Sequence, residues 1–282
     1  MRPALRAGRD LGFWILCFLA LAVVVAPSLA MVGTLLQQAG PALSLHLLTA
    51  TTANNGLQNA ILGSLLIMLG VLVVAGPIGI LGGIYLAEFA PAARSGVLRL
   101  GYETLAGVPS IVIGFVGYVL LAQALHWGFS LLSGVLALSA IVLPYVVKTT
   151  EVALLQVPST LRDAGLALGL SRLTTLRRAL LPPAVPAIAS GLVLALAIAV
   201  GETAPLLYTL GFSDQDPSLS LFQHPIGYLT YVVYLNATLP TRLEHEVAGA
   251  AGLATLFLIL VLIGLGRLAS RRAARYRAQL PT

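Results

Sequence analysis

The chain has 282 residues, 58% of them apolar and 9% charged, with a mean hydropathy of +0.95. That balance excludes a soluble globular domain and marks an integral membrane protein. A net charge of +6 and a pI near 9.8 do not signal nucleic acid, because the charges fall in short gaps between apolar runs and make no basic face.

Arg2, Arg6 and Arg9 precede an apolar run over residues 11–32, long enough to cross a hydrocarbon core of about 30 Å. The run contains the single cysteine, Cys17, which rules out an intrachain disulfide framework and cysteine metal clusters. Ser28-Leu29-Ala30 has the look of a signal-peptide cleavage site, but the run exceeds a usual signal core and reads as a retained helix. Residues 33–57 form a loop rich in Gln, Thr and Asn. A second apolar run, 58–89, is punctuated by glycines; Gly79 and Gly83 have the spacing that lets helix backbones approach closely, and Gly76-Pro77 predicts a kink. A polar link with Arg94 and Arg99 leads to a third run, 101–125, and a fourth, 129–147, joined across His126 and Trp127, the latter an interfacial residue. A polar excursion follows, then a fifth run, 184–207, a long polar stretch, 208–246, and a sixth run, 247–265.

Six crossings place both termini on one side, and the basic residues test this. The amino terminus, the 94–99 link, the base of the fourth span with the central excursion, and the tail hold 3, 2, 5 and 5 of the Lys and Arg residues, fifteen of sixteen, leaving Arg242 outside. The positive-inside rule then assigns both termini and the excursion to the cytoplasm. The expected organisation is residues 1–57 as terminus, first span and outer loop, 58–267 as a core of five spans, and 268–282 as a basic tail.

The centre of the excursion is RDAGLALGLSRLTTLRRALLP, residues 162–182. Residues 161–170 predict a short helix whose Ala164, Gly165, Ala167 and Gly169 leave a low-profile face fit for a groove on another protein. The alternative is an amphipathic segment lying on lipid headgroups. Prolines 182, 183 and 186 restart the membrane helix, as proline does in a first turn.

At this point the sequence resembles a family. Asp163-Ala164-Gly165, then Gly169, then Leu181-Pro182 looks like the EAA loop of ABC importer permeases, with Asp163 and Gly165 standing for Glu and Ala. GIYLAEFAP (83–91), LAGVPSIVIGFVGY (105–118), KTTEVALLQVP (148–158) and GETAPLLYT (201–209) resemble the PstA-type permease subunit of phosphate ABC importers. The resemblance implies an all-α, six-span, type I importer permease (MetI-like) fold, with the EAA loop, about 152–183, docking on an ATPase. It also implies a homologous second permease (PstC type), an ATPase dimer (PstB type), an extracytoplasmic phosphate-binding protein (PstS type) received by the 208–246 stretch, and no cofactor of the chain's own, ATP being held by the partner.

Glu202 falls in the outer part of the fifth run, just before helix-breaking Pro205. A carboxylate at the bilayer centre costs about 2.5 to 3.5 kcal/mol, so it calls for a partner or a water-filled path. It either reaches the outer headgroups or, with Thr203, faces the translocation pathway, as the resemblance implies. The family commonly carries arginine four positions earlier, where this chain has Ile198. Lys148, the only lysine, matches a basic position of the family; it serves the pathway or snorkels to the inner interface.

No G-x-x-x-x-G-K-[ST] loop occurs, so the chain lacks the usual cradle for ATP phosphates, and neither a nucleophile elbow nor H-E-x-x-H points to a membrane enzyme. The four histidines lack ligand spacing, and no metal is expected. Two other readings stay open: a permease for another oxyanion such as molybdate or sulfate, which Ile198 keeps in play, and a secondary carrier or channel. No internal repeat favours the carrier.

Overall fold

The computed structural model describes residues 3–40 and 43–277. Arg2 lies outside the described residues, as do the side chains of Arg6, Arg9, Arg271, Arg272, Arg275 and Arg277.

Every regular element among the described residues is helical, the arrangement that satisfies backbone groups inside lipid without a sheet edge. Helix α1 (Pro3–Ala39) crosses first, and α2 (Leu45–Thr49) leads over the outer side to α3 (Gln58–Ile84), which a wide π turn (Tyr85–Phe89) prolongs. Next come α4 (Ala92–Gly107), α5 (Ser110–Gly117, continued by a π turn over Tyr118–Ala124) and α6 (Leu131–Leu155). The excursion holds α7 (Ser159–Ala167) and α8 (Arg172–Thr175), and a third π turn (Leu176–Leu180) feeds α9 (Leu181–Gly201). The chain closes with α10 (Ala204–Thr209), α11 (Leu229–Thr238) and α12 (Arg242–Arg277). Five of these segments are long and apolar enough to cross a membrane, and α4 with α5, bent by 95°, makes a sixth when its two halves form one span.

The bend departs from the single straight run expected over 101–125. Its cause is Pro109, whose ring pushes the preceding Val108 out of helical geometry, to φ −72° and ψ 128°. The same rule ends α3 before Pro91, where Ala90 sits at ψ 126°. By contrast α3 runs through Pro77 as one element, as α6 does through Pro144.

The tightest pairing is α3 on α6, along a row of glycines. A Cβ added to Gly70, Gly79 or Gly83 would come within 2.5–2.6 Å of Val135, Val146 or Thr150. Close backbone approach supplies the dispersion contacts that hold helices together in lipid, where the hydrophobic effect does not. Around this pair a central cluster joins α3, α6, α9 and α10 through Val71, Val142, Val146, Ala195 and Leu210. An outer cluster ties Ala39, Leu57, Leu229 and Ala251, and an inner cluster ties Leu154, Val157, Leu176, Leu180 and Ile188.

The 208–246 stretch is built into the outer end. Asn59, fully buried, accepts from the Thr52 N–H at 2.9 Å and donates to the Ser213 carbonyl at 3.0 Å. Tyr228 and Tyr231 pack on Phe212, the latter stacked at 4.3 Å between centroids, so these tyrosines support the core instead of facing outward.

Candidate functional site

The excursion folds as a helix with a specific stop. The Gly169 N–H donates to the Leu166 carbonyl and the Leu170 N–H to the Gly165 carbonyl, at 2.9 and 3.1 Å, the paired bonds of a Schellman ending. Gly169 takes φ +74°, the left-handed geometry that glycine adopts without strain. The spacing from Gly165 to Gly169 is therefore the third helical residue from the end and the residue past the cap. Gly165 is buried against Thr175 of α8, which a Cβ there would strike at 2.5 Å. Asp163, Ala164, Ala167 and Leu168 are exposed, Leu168 at 79%. Leu181 and Pro182 open α9, with the proline in the first turn. The helix thus turns Gly165 inward and leaves small residues with Leu166 and Leu168 exposed, at the end of the bundle that the positive-inside rule assigns to the cytoplasm.

Two ion pairs flank this loop, and neither was anticipated from the sequence. Arg162 of α7 donates from Nε to Glu88 Oε2 at 3.0 Å and from Nη2 to Oε1, reaching the π turn that ends α3. Glu88 holds the Arg162 guanidinium above its ordinary pKa. Arg99 of α4 donates to Glu151 of α6 from Nε at 2.7 Å and Nη2 at 2.6 Å, and the Tyr102 hydroxyl donates to the other carboxylate oxygen at 3.1 Å. A signal existed for the first pair: Glu88 is the only acid between Asp10 and Glu103, and it sits at the end of an apolar run.

Glu202 is not inside a helix. Pro205 cannot donate to Gly201 and its ring crowds that carbonyl, so α9 ends at Gly201 and Glu202 turns to φ −78°, ψ 128°. Thr203 caps α10, and the Glu202 carbonyl accepts from Thr230 Oγ1 at 3.2 Å. The side chain is half-buried, and among the described residues no group pairs with its carboxylate. A small cavity of about 20 Å³ lies beside the break, lined in part by Ser64, Tyr228 and Thr230.

Lys148 stands elsewhere. It lies 3.7 Å from Glu103 and over the Tyr102 ring, on the α4 side of α6. Its neighbour Thr149 fills the notch at Gly191, eleven residues before Glu202 and therefore about 16 Å down α9. The structure does not bring Lys148 and Glu202 together, and Ile198 is half-buried one turn below Glu202.

The quoted segments meet in space. Gly114 and Gly117 of the 105–118 segment pack on Pro205 and Thr209 of the 201–209 segment, and Gly83 of the 83–91 segment packs on Thr150 of the 148–158 segment. No trio of His, Cys, Asp or Glu able to hold a metal occurs among the described residues.

Comparison with known proteins agrees with this geometry. Residues 79–275 match the family described as binding-protein-dependent transport system inner membrane component. "Phosphate transport system permease protein PstA 2" of Mycobacterium bovis is 43% identical over 92% of this chain and 87% of its own length. "Phosphate transport system permease protein PstA" of Xylella fastidiosa is 38% identical over 82% of each. Among solved structures, the inward-facing MetNI methionine ABC transporter aligns with a TM-score of 0.58 at 17% identity, over 83% of this chain and 99% of that one, a likeness of fold. The chain is an all-α, multi-pass membrane permease and belongs to the family of binding-protein-dependent transport system inner membrane components.

Proposed function

We propose that this chain is the PstA-type permease subunit of an ATP-driven importer of inorganic phosphate in a bacterial inner membrane. The observation that carries the reading is the 43% identity, over nearly the whole chain, to a protein named as a phosphate transport permease. The outward small-residue face of α7 supports it.

A PstB-type ATPase dimer binds ATP, and this chain needs no cofactor of its own. The dimer receives α7 through Asp163, Ala164, Ala167 and Leu168, while Gly165, Gly169, Leu181 and Pro182 give the loop its shape. Closure of the dimer on ATP displaces α7, and α6 and α9, which continue directly from the loop, carry the displacement to the pathway. That pathway is formed with a PstC-type second permease and opens toward a phosphate-loaded PstS-type binding protein seated on the outer 208–246 stretch. Hydrolysis resets it. Glu202 and Thr203, at the break between α9 and α10, line the outer half of the path, and Lys148 lines the inner half. The break gives the path a backbone turn at which α10 can shift against α9.

Ile198, standing where the family commonly carries arginine, keeps a second substrate reading open, another oxyanion such as molybdate or sulfate. Uptake separates the two. Cells deprived of other phosphate importers, carrying this chain with its partner subunits, should accumulate labelled phosphate, and unlabelled molybdate or sulfate in excess should not suppress it. Accumulation of labelled molybdate or sulfate with no phosphate accumulation would move the substrate to that oxyanion. Accumulation that survives loss of the ATPase would favour a carrier.

A further inference from the structure

We infer that Glu88 and Arg162 form a strut through which α7 moves α3 together with α6 and α9, so that transport per ATP depends on this ion pair. The inference rests on α7 being the element that meets the ATPase.

The loop reaches α6 and α9 through the chain itself. It continues from α6 across Val157-Pro158, and it enters α9 through α8, on whose Thr175 Gly165 sits, and the Leu176–Leu180 turn. It has no such covalent route to α3. Leu161 makes an apolar contact within the cluster that includes Ile84 and Ala87. Among the described residues the Glu88–Arg162 pair is the one polar link between α7 and the end of α3. Apolar contact lets surfaces slide, whereas two parallel N–H bonds on one carboxylate fix both distance and orientation.

The pair is placed to transmit. Glu88 is 9% exposed and Arg162 29%, so solvent weakens it less than it would a surface pair. Glu88 rides on the π turn closed by the Ala90 N–H on the Tyr85 carbonyl at 2.8 Å, a wide turn of the kind that recurs at functional sites. Above it, Gly79 and Gly83 seat α3 on Val146 and Thr150 of α6, an apolar contact that leaves the lower end of α3 to be held by the Glu88–Arg162 pair. Arg162 also turns away from the exposed face of Asp163, Ala164 and Leu168, which leaves that face free for the ATPase.

The test uses the whole importer in proteoliposomes with its binding protein, comparing wild type, Glu88→Gln, Arg162→Glu, Glu88→Arg and the double exchange Glu88→Arg/Arg162→Glu. Phosphate uptake, ATP hydrolysis, ATPase retained on the complex and thermal stability are read together. The single variants should keep the ATPase bound and hydrolysing, while phosphate taken up per ATP falls about tenfold; the exchange should recover to within about threefold of wild type. Wild-type coupling in the single variants, or an exchange no better than they are, would overturn the strut. A Glu88→Gln protein that melts lower but imports the wild-type amount per ATP would make the pair a clamp of the fold only, and would overturn it equally. A wild-type preparation that carries no ATPase overturns the underlying reading together with this one, and it shows before any variant is compared.

Discussion

Arg99→Met should destabilise the chain by about 3 kcal/mol, because breaking a buried ion pair by removing one partner leaves the other charge uncompensated. The lower end of the range for such breaks applies, since the Arg99 side chain is 40% exposed while Glu151 is 3% exposed. The Tyr102 hydroxyl would be the hydrogen bond left on the stranded carboxylate, with the charge of the exposed Lys148 still acting on it. Replacing both partners by apolar residues, Arg99→Met with Glu151→Met, removes the buried charge as well, and the double variant should recover most of the loss. Thermal melts in detergent check this: the single variant melts well below wild type and the double variant between them. A double variant as unstable as the single would mean that α4 is held on α6 by something other than this pair.

Gly114→Val should be comparably damaging, for a different reason. A Cβ at Gly114 lies 2.6 Å from the Pro205 Cα and 3.2 Å from its carbonyl oxygen, so the obstacle is backbone that no rotamer change can clear. The expected cost is about 3 kcal/mol, the upper end of the range for overpacking. The damage falls on the α5–α10 contact directly beyond Glu202 and Thr203, so uptake should be lost with stability. Gly96→Ala is the matched control. It lies within α4 with nothing within 4 Å, and alanine in an exposed helix is better than glycine by about 1 kcal/mol. Size-exclusion profiles and melting points should show an aggregated or early-melting Gly114→Val and an intact Gly96→Ala. An intact Gly114→Val would mean that α5 and α10 can part without cost.

The apolar runs, the charge asymmetry and the family segments were legible in the sequence because each is local: about twenty apolar residues, a basic loop, a glycine at a helix end. Gly169 is the clearest case. Its spacing from Gly165 reads as a family signature in the sequence, and the left-handed Schellman ending gives it a physical cause. Proline effects were only partly legible. Pro109 and Pro205 break their helices while Pro77 and Pro144 do not, and the difference depends on what packs beside each turn, which residue spacing does not carry. Glu202 accordingly sits at a helix break and not along a helix. The least legible features were the pairings across long sequence separation, Glu88 with Arg162 and Glu151 with Arg99. A single chain shows the charges, but it does not show which apolar surfaces bring them within 3 Å.

Whether α7 is where an ATPase engages this permease is decided by co-purification. The tagged chain would be extracted from its native membrane as wild type and as Leu168→Glu. Leu168 is 79% exposed, so a glutamate there leaves the fold intact and puts an unpaired charge into an apolar contact. An ATPase subunit and a second permease should come with the wild type, and the second permease alone with Leu168→Glu at an unchanged melting point. Equal recovery of the ATPase with both proteins, or a wild type that purifies with neither partner, would contradict this role of α7.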